Sequence, residues 1–188
     1  MNLKQLSNED IINIYNIHMI KDFPTEELKP IKVIENIIKR KIYICYGLYD
    51  NDELLAYAFL ATSKLYLLID YYSVCAKYRN KGIGSQFLNI LRECCKNFNG
   101  IIVEVENVEC ASNEAEKVVR RRRIDFYKKN GMRITNISSI LFSVKYSIMC
   151  LCNSEIDDSI IYSELKSIYK ELIPREFYSK YVEISMKK

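Results

Sequence analysis

The residues best placed to do chemistry run from Tyr71 to Leu88, Tyr-Tyr-Ser-Val-Cys-Ala-Lys-Tyr-Arg-Asn-Lys-Gly-Ile-Gly-Ser-Gln-Phe-Leu. An aromatic and β-branched run leads into a basic turn with two glycines, and the turn opens at once into an apolar-periodic helix. That order makes a phosphate cradle. Gly82 and Gly84 let the backbone approach a ligand closely, and the first N–H groups of the helix have no internal partner. Arg79 and Lys81 add positive charge beside those donors. The nucleotide versions of such a cradle are missing. No Gly-x-x-x-x-Gly-Lys-Ser/Thr occurs, and Phe87 stands where Gly-x-Gly-x-x-Gly needs its third glycine. Two carboxylates also lie within strand-like runs. Asp70 shares a strand face with Tyr72 and Val74 by period two, and Glu104 shares one with Ile102. An acid in an otherwise apolar strand, such as Glu104, is either functional or part of a strand-end ion pair.

Positioning these groups requires a mixed α/β arrangement. Ser7 followed by Asn-Glu-Asp reads as a helix N-cap, with Ile11, Ile12, Tyr15 and Met19 at helical spacing behind it. Phe23-Pro24-Thr25 stops that helix, Thr25-Glu-Glu starts a short one, and Pro30 suits the first position of another carrying Ile31, Ile34, Ile37 and Ile38. Strands are expected over 42–49 and 54–61, joined by Asp50-Asn-Asp52, and over 65–74. A helix over 82–97 follows, with Phe87, Leu88, Leu91 and Cys95 on its core face and Gly100 as its stop. A buried strand over 101–106 comes next, then a loop over 107–112 and a charged helix over 113–129 ended by Gly131. Strands over 132–142 and 145–152, a helix from about Ser154 to Leu172 and a last strand over 176–186 complete the chain. At least one strand–helix–strand crossover is implied, right-handed by default.

The 188 residues suffice for a single domain with a real core, 1–188. A net charge of +4 is too mild to make nucleic-acid binding the default. The arginine run 120–123 does not change that, since no aromatic stacking platform is interleaved with it. Seven cysteines without a Cys-x-x-Cys pair, and His18 as the one histidine, give a metal site little support. The cysteines read as small buried hydrophobes in a reducing, cytoplasmic setting. No signal peptide or run of about 18 apolar residues points to a membrane.

Arg79-Asn-Lys-Gly82-Ile-Gly84 resembles the Arg/Gln-x-x-Gly-x-Gly/Ala loop of the GNAT superfamily of N-acetyltransferases. It follows a strand ending Tyr-Ser-Val and leads into Ser85-Gln-Phe-Leu, as in that family. A second landmark, Phe126-Tyr127-Lys-Lys-Asn-Gly131, lies nearly fifty residues downstream. The resemblance is firm over about 65–133; the flanks match no particular branch. It implies a central mixed, mostly antiparallel sheet with splayed parallel strands, flanked by helices, and acetyl-CoA as co-substrate without a metal. Backbone N–H groups of Arg79, Asn80, Lys81, Gly82, Ile83, Gly84 and Ser85 would hold the CoA pyrophosphate. The strand edge Ser73–Val74–Cys75 would pair with the pantetheine arm, and the Val74 N–H would polarise the thioester carbonyl. Tyr127 aligns with the tyrosine that acts as general acid towards the CoA sulfur. Asp70 or Glu104 would take the proton of the amine.

Arg120 and Arg123 lie seven and four residues before Tyr127, on its helix face. The run reads as a solvated face with an ion pair to Glu114 or Glu116; relatives commonly carry Asn and a small residue at the positions of Arg120 and Arg123, so the departure also allows an acidic substrate group or a CoA phosphate to bind there. The leading expectation is an N-acetyltransferase acting on a primary amine, a small molecule or a peptide. The alternative is a non-catalytic module that keeps the CoA site. Neither nucleic acid nor membrane is needed as a partner, and a homodimer is left open.

Overall fold

The computed structural model describes residues 1–152 and 155–187. Eight strands form one mixed sheet in the order β1-β2-β3-β4-β5-β7-β6-β8, flanked by helices. The chain divides into two compact units, Met1–Ala61 with Asp70–Leu91, and Thr62–Ile69 with Arg92–Lys188.

In the first unit, β1 (Asn2–Gln5) pairs antiparallel with β2 (Tyr43–Asp50), and β2 forms a hairpin with β3 (Glu53–Thr62). The hairpin turn has Asn51 at φ 51°, a left-handed value that asparagine tolerates well. Ser7 caps α1 (Asn8–Ile14) through a reciprocal capping box with Asp10. A π turn (Tyr15–Met19) and a short α2 (Ile20–Asp22) continue it. The π turn adds a residue to the period and rotates the apolar stripe. The buried face runs through Ile11, Ile14 and, five residues on, Met19; Ile12, expected inside, is exposed on α1 ahead of that turn. Pro24 to Leu28 is a turn and not the expected short helix: the Pro24 carbonyl accepts from the N–H groups of Glu27 and Leu28. Pro30 stands at the cap of α3 (Ile31–Lys39), one place before its expected position, and Ile34 and Ile37 fill the core.

The strand β4 (Tyr66–Val74) leads through a 3-10 turn (Ala76–Tyr78) to α4 (Ile83–Cys94). Phe87, Leu88 and Leu91 are its buried stripe, as the spacing predicts.

In the second unit the first four residues of β4 pair parallel with β5 (Gly100–Glu106), from Tyr66↔Gly100 to Ile69↔Val103. Gly100 is the first residue of this strand and not a helix stop. A Cβ there would meet the Leu151 carbonyl oxygen at 2.7 Å, so close strand packing explains the glycine. β7 (Val144–Cys152) covers the whole length of β5 antiparallel and pairs with β6 (Arg133–Leu141). The helix α5 (Glu114–Lys129) is capped by the Asn113 side chain and ends at Gly131, φ +87°. The helix expected from about Ser154 begins at Asp158 as α6 (Asp158–Leu172), capped by Asp157; Ser154 lies outside the described residues. The expected last strand is divided into α7 (Arg175–Tyr181) and β8 (Val182–Met186). Pro174 sets that start: its carbonyl accepts from the N–H groups of Phe177 and Tyr178.

Candidate functional site

The cradle is built in the first unit. Asn80 and Gly82 both take left-handed backbone, φ 62° and 77°, and so turn the chain back into α4. Nothing lies within 4 Å of the position a Cβ of Gly82 would occupy, so the loop presents bare backbone to open space. The first helical hydrogen bond runs from Gln86 N–H to the Gly82 carbonyl. The amides of Ile83, Gly84 and Ser85 therefore precede the helical ladder and carry the positive end of the helix dipole. Tyr72 fixes the helix start to the strand: its ring stacks on Phe87 at 5.3 Å and its hydroxyl donates to the Gly84 carbonyl at 2.5 Å.

Behind the loop sits a residue that the sequence does not advertise. Asp22, at the end of α2, accepts from Tyr57 Oη at 2.8 Å, Ser73 Oγ at 3.0 Å and the Arg79 guanidinium at 2.5 Å. Arg79 also donates from Nε to the Val74 carbonyl at 2.9 Å. Its side chain thus braces the loop through Nε and one terminal nitrogen, while remaining half exposed. The Cys75 N–H donates to the Leu55 carbonyl on β3. By the alternation of a strand, the N–H and carbonyl of Val74 point away from β3. Burial, with the Asp22 carboxylate next in weight, pushes the Cys75 thiol up to about 11.

Asp70, Tyr72 and Val74 form the half-buried face of β4, with Tyr71 and Ser73 on its buried face, so the expected alternation holds. Both oxygens of Asp70 are engaged by Lys29 Nζ, at 2.8 and 2.9 Å, and Tyr43 Oη donates to Oδ2 as well. Burial and the Asp70 charge hold the Tyr43 phenol well above its ordinary range.

In the second unit Glu104 receives the Tyr169 hydroxyl and, at 3.4 Å, the Ser139 hydroxyl. Tyr169 and Ser139 are buried, and burial followed by the Glu104 charge keeps the Tyr169 phenol well above its usual range. Asp70 and Glu104 are each the first residue of their strand past the last paired position, Ile69↔Val103. Tyr127 is 5% exposed, packs edge-on against Phe126 at 5.1 Å, and is pushed up to about 12 by burial.

Arg120 makes the ion pair to Glu116 that its spacing allows, and is not directed at a ligand. It is 8% exposed and donates to Glu106 at 2.8 Å, to Glu116 at 2.7 Å and to the Asn107 carbonyl at 2.7 Å. Its fork is committed within the fold, and Arg123 adds a longer contact to Glu106 at 3.4 Å. Cys94 and Cys110 are exposed, while Cys45, Cys75, Cys95 and Cys150 have the expected burial.

A strand, a glycine turn and a helix start presenting bare amides, followed by a crossover to a parallel strand, match the order expected of the GNAT fold. Residues 41–133 match the family model for the acetyltransferase (GNAT) domain, and the chain belongs to that superfamily. A search of curated proteins finds no match in sequence. Among solved structures, a protein from Bacteroides thetaiotaomicron assigned to the GNAT family superposes with a TM-score of 0.71 at 19% identity, covering 91% of this chain and 99% of its own. The ribosomal-protein-S18-alanine N-acetyltransferase of Escherichia coli gives 0.61 at 19% identity, over 84% and 96%. A GNAT family acetyltransferase from Elizabethkingia anophelis, with acetyl-CoA bound, gives 0.59 at 18% identity, over 80% and 97%.

Proposed function

We propose that this chain acts as one domain, an acetyl-CoA-dependent N-acetyltransferase that acts on a primary amine by direct attack in a ternary complex. The observation that carries the reading is the cradle: Gly82 at φ +77° with open space above it, beside the three amides that open α4. Donors of this kind fit a pyrophosphate, and the co-substrate, when bound, supplies the activated acyl thioester. The backbone from Arg79 to Ser85 would hold the phosphates. The edge Ser73–Cys75 would align the pantetheine arm, with the Val74 N–H as donor to the acyl carbonyl.

Tyr127 serves as the proton donor to the departing sulfur. A phenol held at about 12 stays protonated throughout the working range. Cys75 lies on the same edge but does not compete as nucleophile, because its thiol, pushed up to about 11, stays protonated. That supports direct attack by the amine over an acyl group carried on this cysteine. For the base, Glu104 is favoured over Asp70, since Lys29 occupies both Asp70 oxygens.

Thiol release from acetyl-CoA across a panel of amines tests the activity, with peptides carrying N-terminal alanine among them because one structural neighbour acetylates such a residue. An active amine is expected, with Tyr127→Phe lowering kcat by about 10²-fold at unchanged CoA affinity. CoA binding without turnover on any amine would leave a binding module. CoA binding that survives Gly82→Glu would overturn the reading of the loop.

A further inference from the structure

The sheet ends at β8, and among the described residues nothing pairs with its outer edge. β8 lies in continuous antiparallel register with β6, from Val182↔Leu141 to Met186↔Ile137, without bulge or proline. The same register extends beyond both ends: Lys187 N–H donates to the Asn136 carbonyl, and the Tyr181 carbonyl accepts from Phe142 N–H. Odd-numbered residues therefore turn their backbone groups towards β6. Val182, Ile184 and Met186 turn theirs outward and offer a row of donors and acceptors.

The geometry points to β8 as the seam of a homodimer, pairing antiparallel with the same strand of a second copy about a two-fold axis at Ser185. Among the registers that match outward groups to outward groups, charge selects this one. The outward groups of Ile184 and the partner's Met186 then face each other and exchange both N–H···O bonds. The same register sets Glu183 opposite the partner's Lys187 twice, once on each side of the axis. A pairing centred on Glu183 would oppose two carboxylates, and one centred on Ile184 would oppose Glu183 to a serine. Opposite charges across a strand pair stabilise it and like charges directly opposite destabilise it. Neither Glu183 nor Lys187 has an ion-pair partner among the described residues, so both are available. The opposite edge, β1, carries Lys4 as its one charge, already bonded to Asp10 at 2.9 Å, and has no such self-complement.

Apolar surface at the same edge adds to the strand pairing. Met186 is 45% exposed, and at the start of β8 the exposed Phe142 and Phe177 both stack on Tyr181, at 5.2 and 6.2 Å. A short strand alone buries too little for a stable dimer, so exposed apolar side chains such as Met186 have to add to it.

Sedimentation at low salt tests the seam. The wild-type chain is expected to show a monomer–dimer equilibrium. Glu183→Lys or Lys187→Glu alone should raise its dissociation constant about tenfold, and the double exchange should restore it. Ser185→Cys should cross-link the dimer under mild oxidation, because residues facing each other in a non-hydrogen-bonded pair are about 4.5 Å apart between α-carbons, within disulfide reach. Wild-type protein under the same oxidant controls for the exposed Cys94 and Cys110. A wild type that stays monomeric at all accessible concentrations overturns the proposal. So does a dimer indifferent to both single exchanges, or a Ser185→Cys variant that yields no more cross-link than wild type.

Discussion

Replacing Asp22 by alanine tests whether the cradle is braced from behind. The carboxylate is 9% exposed and receives three donors that span the first unit: Tyr57 on β3, Ser73 on β4 and Arg79 in the loop. Tyr57 is fully buried, so its hydroxyl would lose the Asp22 acceptor without gaining water and keep only the Ser73 hydroxyl, at about 1–3 kcal/mol. Ser73 keeps a weak alternative in the Val74 carbonyl at 3.5 Å, and its loss is about 1 kcal/mol. The Arg79 side chain is 48% exposed, so solvent screens that contact and it adds about 0–1 kcal/mol. The sum is about 2–5 kcal/mol, which for a chain of this length lowers Tm by about 4–20 °C. Urea denaturation of Asp22→Ala, Tyr57→Phe and the double variant measures it. Because Tyr57→Phe removes the hydroxyl that Asp22→Ala leaves short of its acceptor, the double variant should be about 1 kcal/mol more stable than the two single losses predict. Additive losses, or an Asp22→Ala loss below about 0.5 kcal/mol, would show that the cluster braces nothing. CoA affinity should also fall in Asp22→Ala, since Arg79 loses one of its two anchors.

Three further outcomes are expected. Burial holds Tyr71 and Tyr127 at about 12, above the ordinary phenol value of 10. A phenol raised in the folded state stabilises it fully below pH 10 and loses that contribution as the pH rises towards 12. Each is equivalent to about 3 kcal/mol, so alkaline unfolding should begin in that window with a cooperative rise in tyrosinate absorbance. Gly100→Ala should destabilise by about 2 kcal/mol or more, because its Cβ meets backbone, Leu151 O at 2.7 Å and Cys152 Cα at 3.2 Å, which calorimetry reads as a lowered Tm. Arg120→Met should leave the KM for an active amine within about twofold, as the guanidinium is committed to Glu106 and Glu116; a large rise in KM would restore its substrate role.

The elements that carry the site were legible because their signals are local. A β-branched run, two glycines and a 3.6-residue apolar period are each complete within a few residues of the cradle. Missed features depend on partners far along the chain. Asp22 contacts residues 35, 51 and 57 positions away, and its own neighbourhood, Lys21-Asp22-Phe23, has no periodicity to mark it. β1 is four residues with one apolar side chain, and only its ladder to β2 makes it a strand. The π turn is local but leaves no residue signature; the five-residue step between the buried Ile14 and Met19 reveals it. Arg120 is different, because its clue was present. Glu116 stands four residues before it on the same helix face, the spacing at which a carboxylate and a guanidinium meet.

The two carboxylates beyond Ile69↔Val103 show where sequence reasoning stops. Period two places each on a definable strand face, and nothing in Asp70 or Glu104 alone separates a base from an anchor. Their partners do. Asp70 is held by a cation, Lys29 Nζ, and by Tyr43, residues from α3's approach and β2 that spacing along β4 could not supply. Glu104 is held by neutral hydroxyls, Tyr169 and Ser139. A carboxylate that accepts an amine proton becomes neutral, and beside Lys29 that change forfeits an ion pair, whereas hydroxyl partners lose only the charge-assisted part of their bonds. Glu104→Gln should accordingly lower kcat at neutral pH with recovery as the pH is raised towards the amine's own pKa, where free base no longer has to be generated. Asp70→Asn should lower stability, with kcat following only in proportion to the folded fraction. A kcat loss in Asp70→Asn that recovers with pH, together with an indifferent Glu104→Gln, would reverse the assignment.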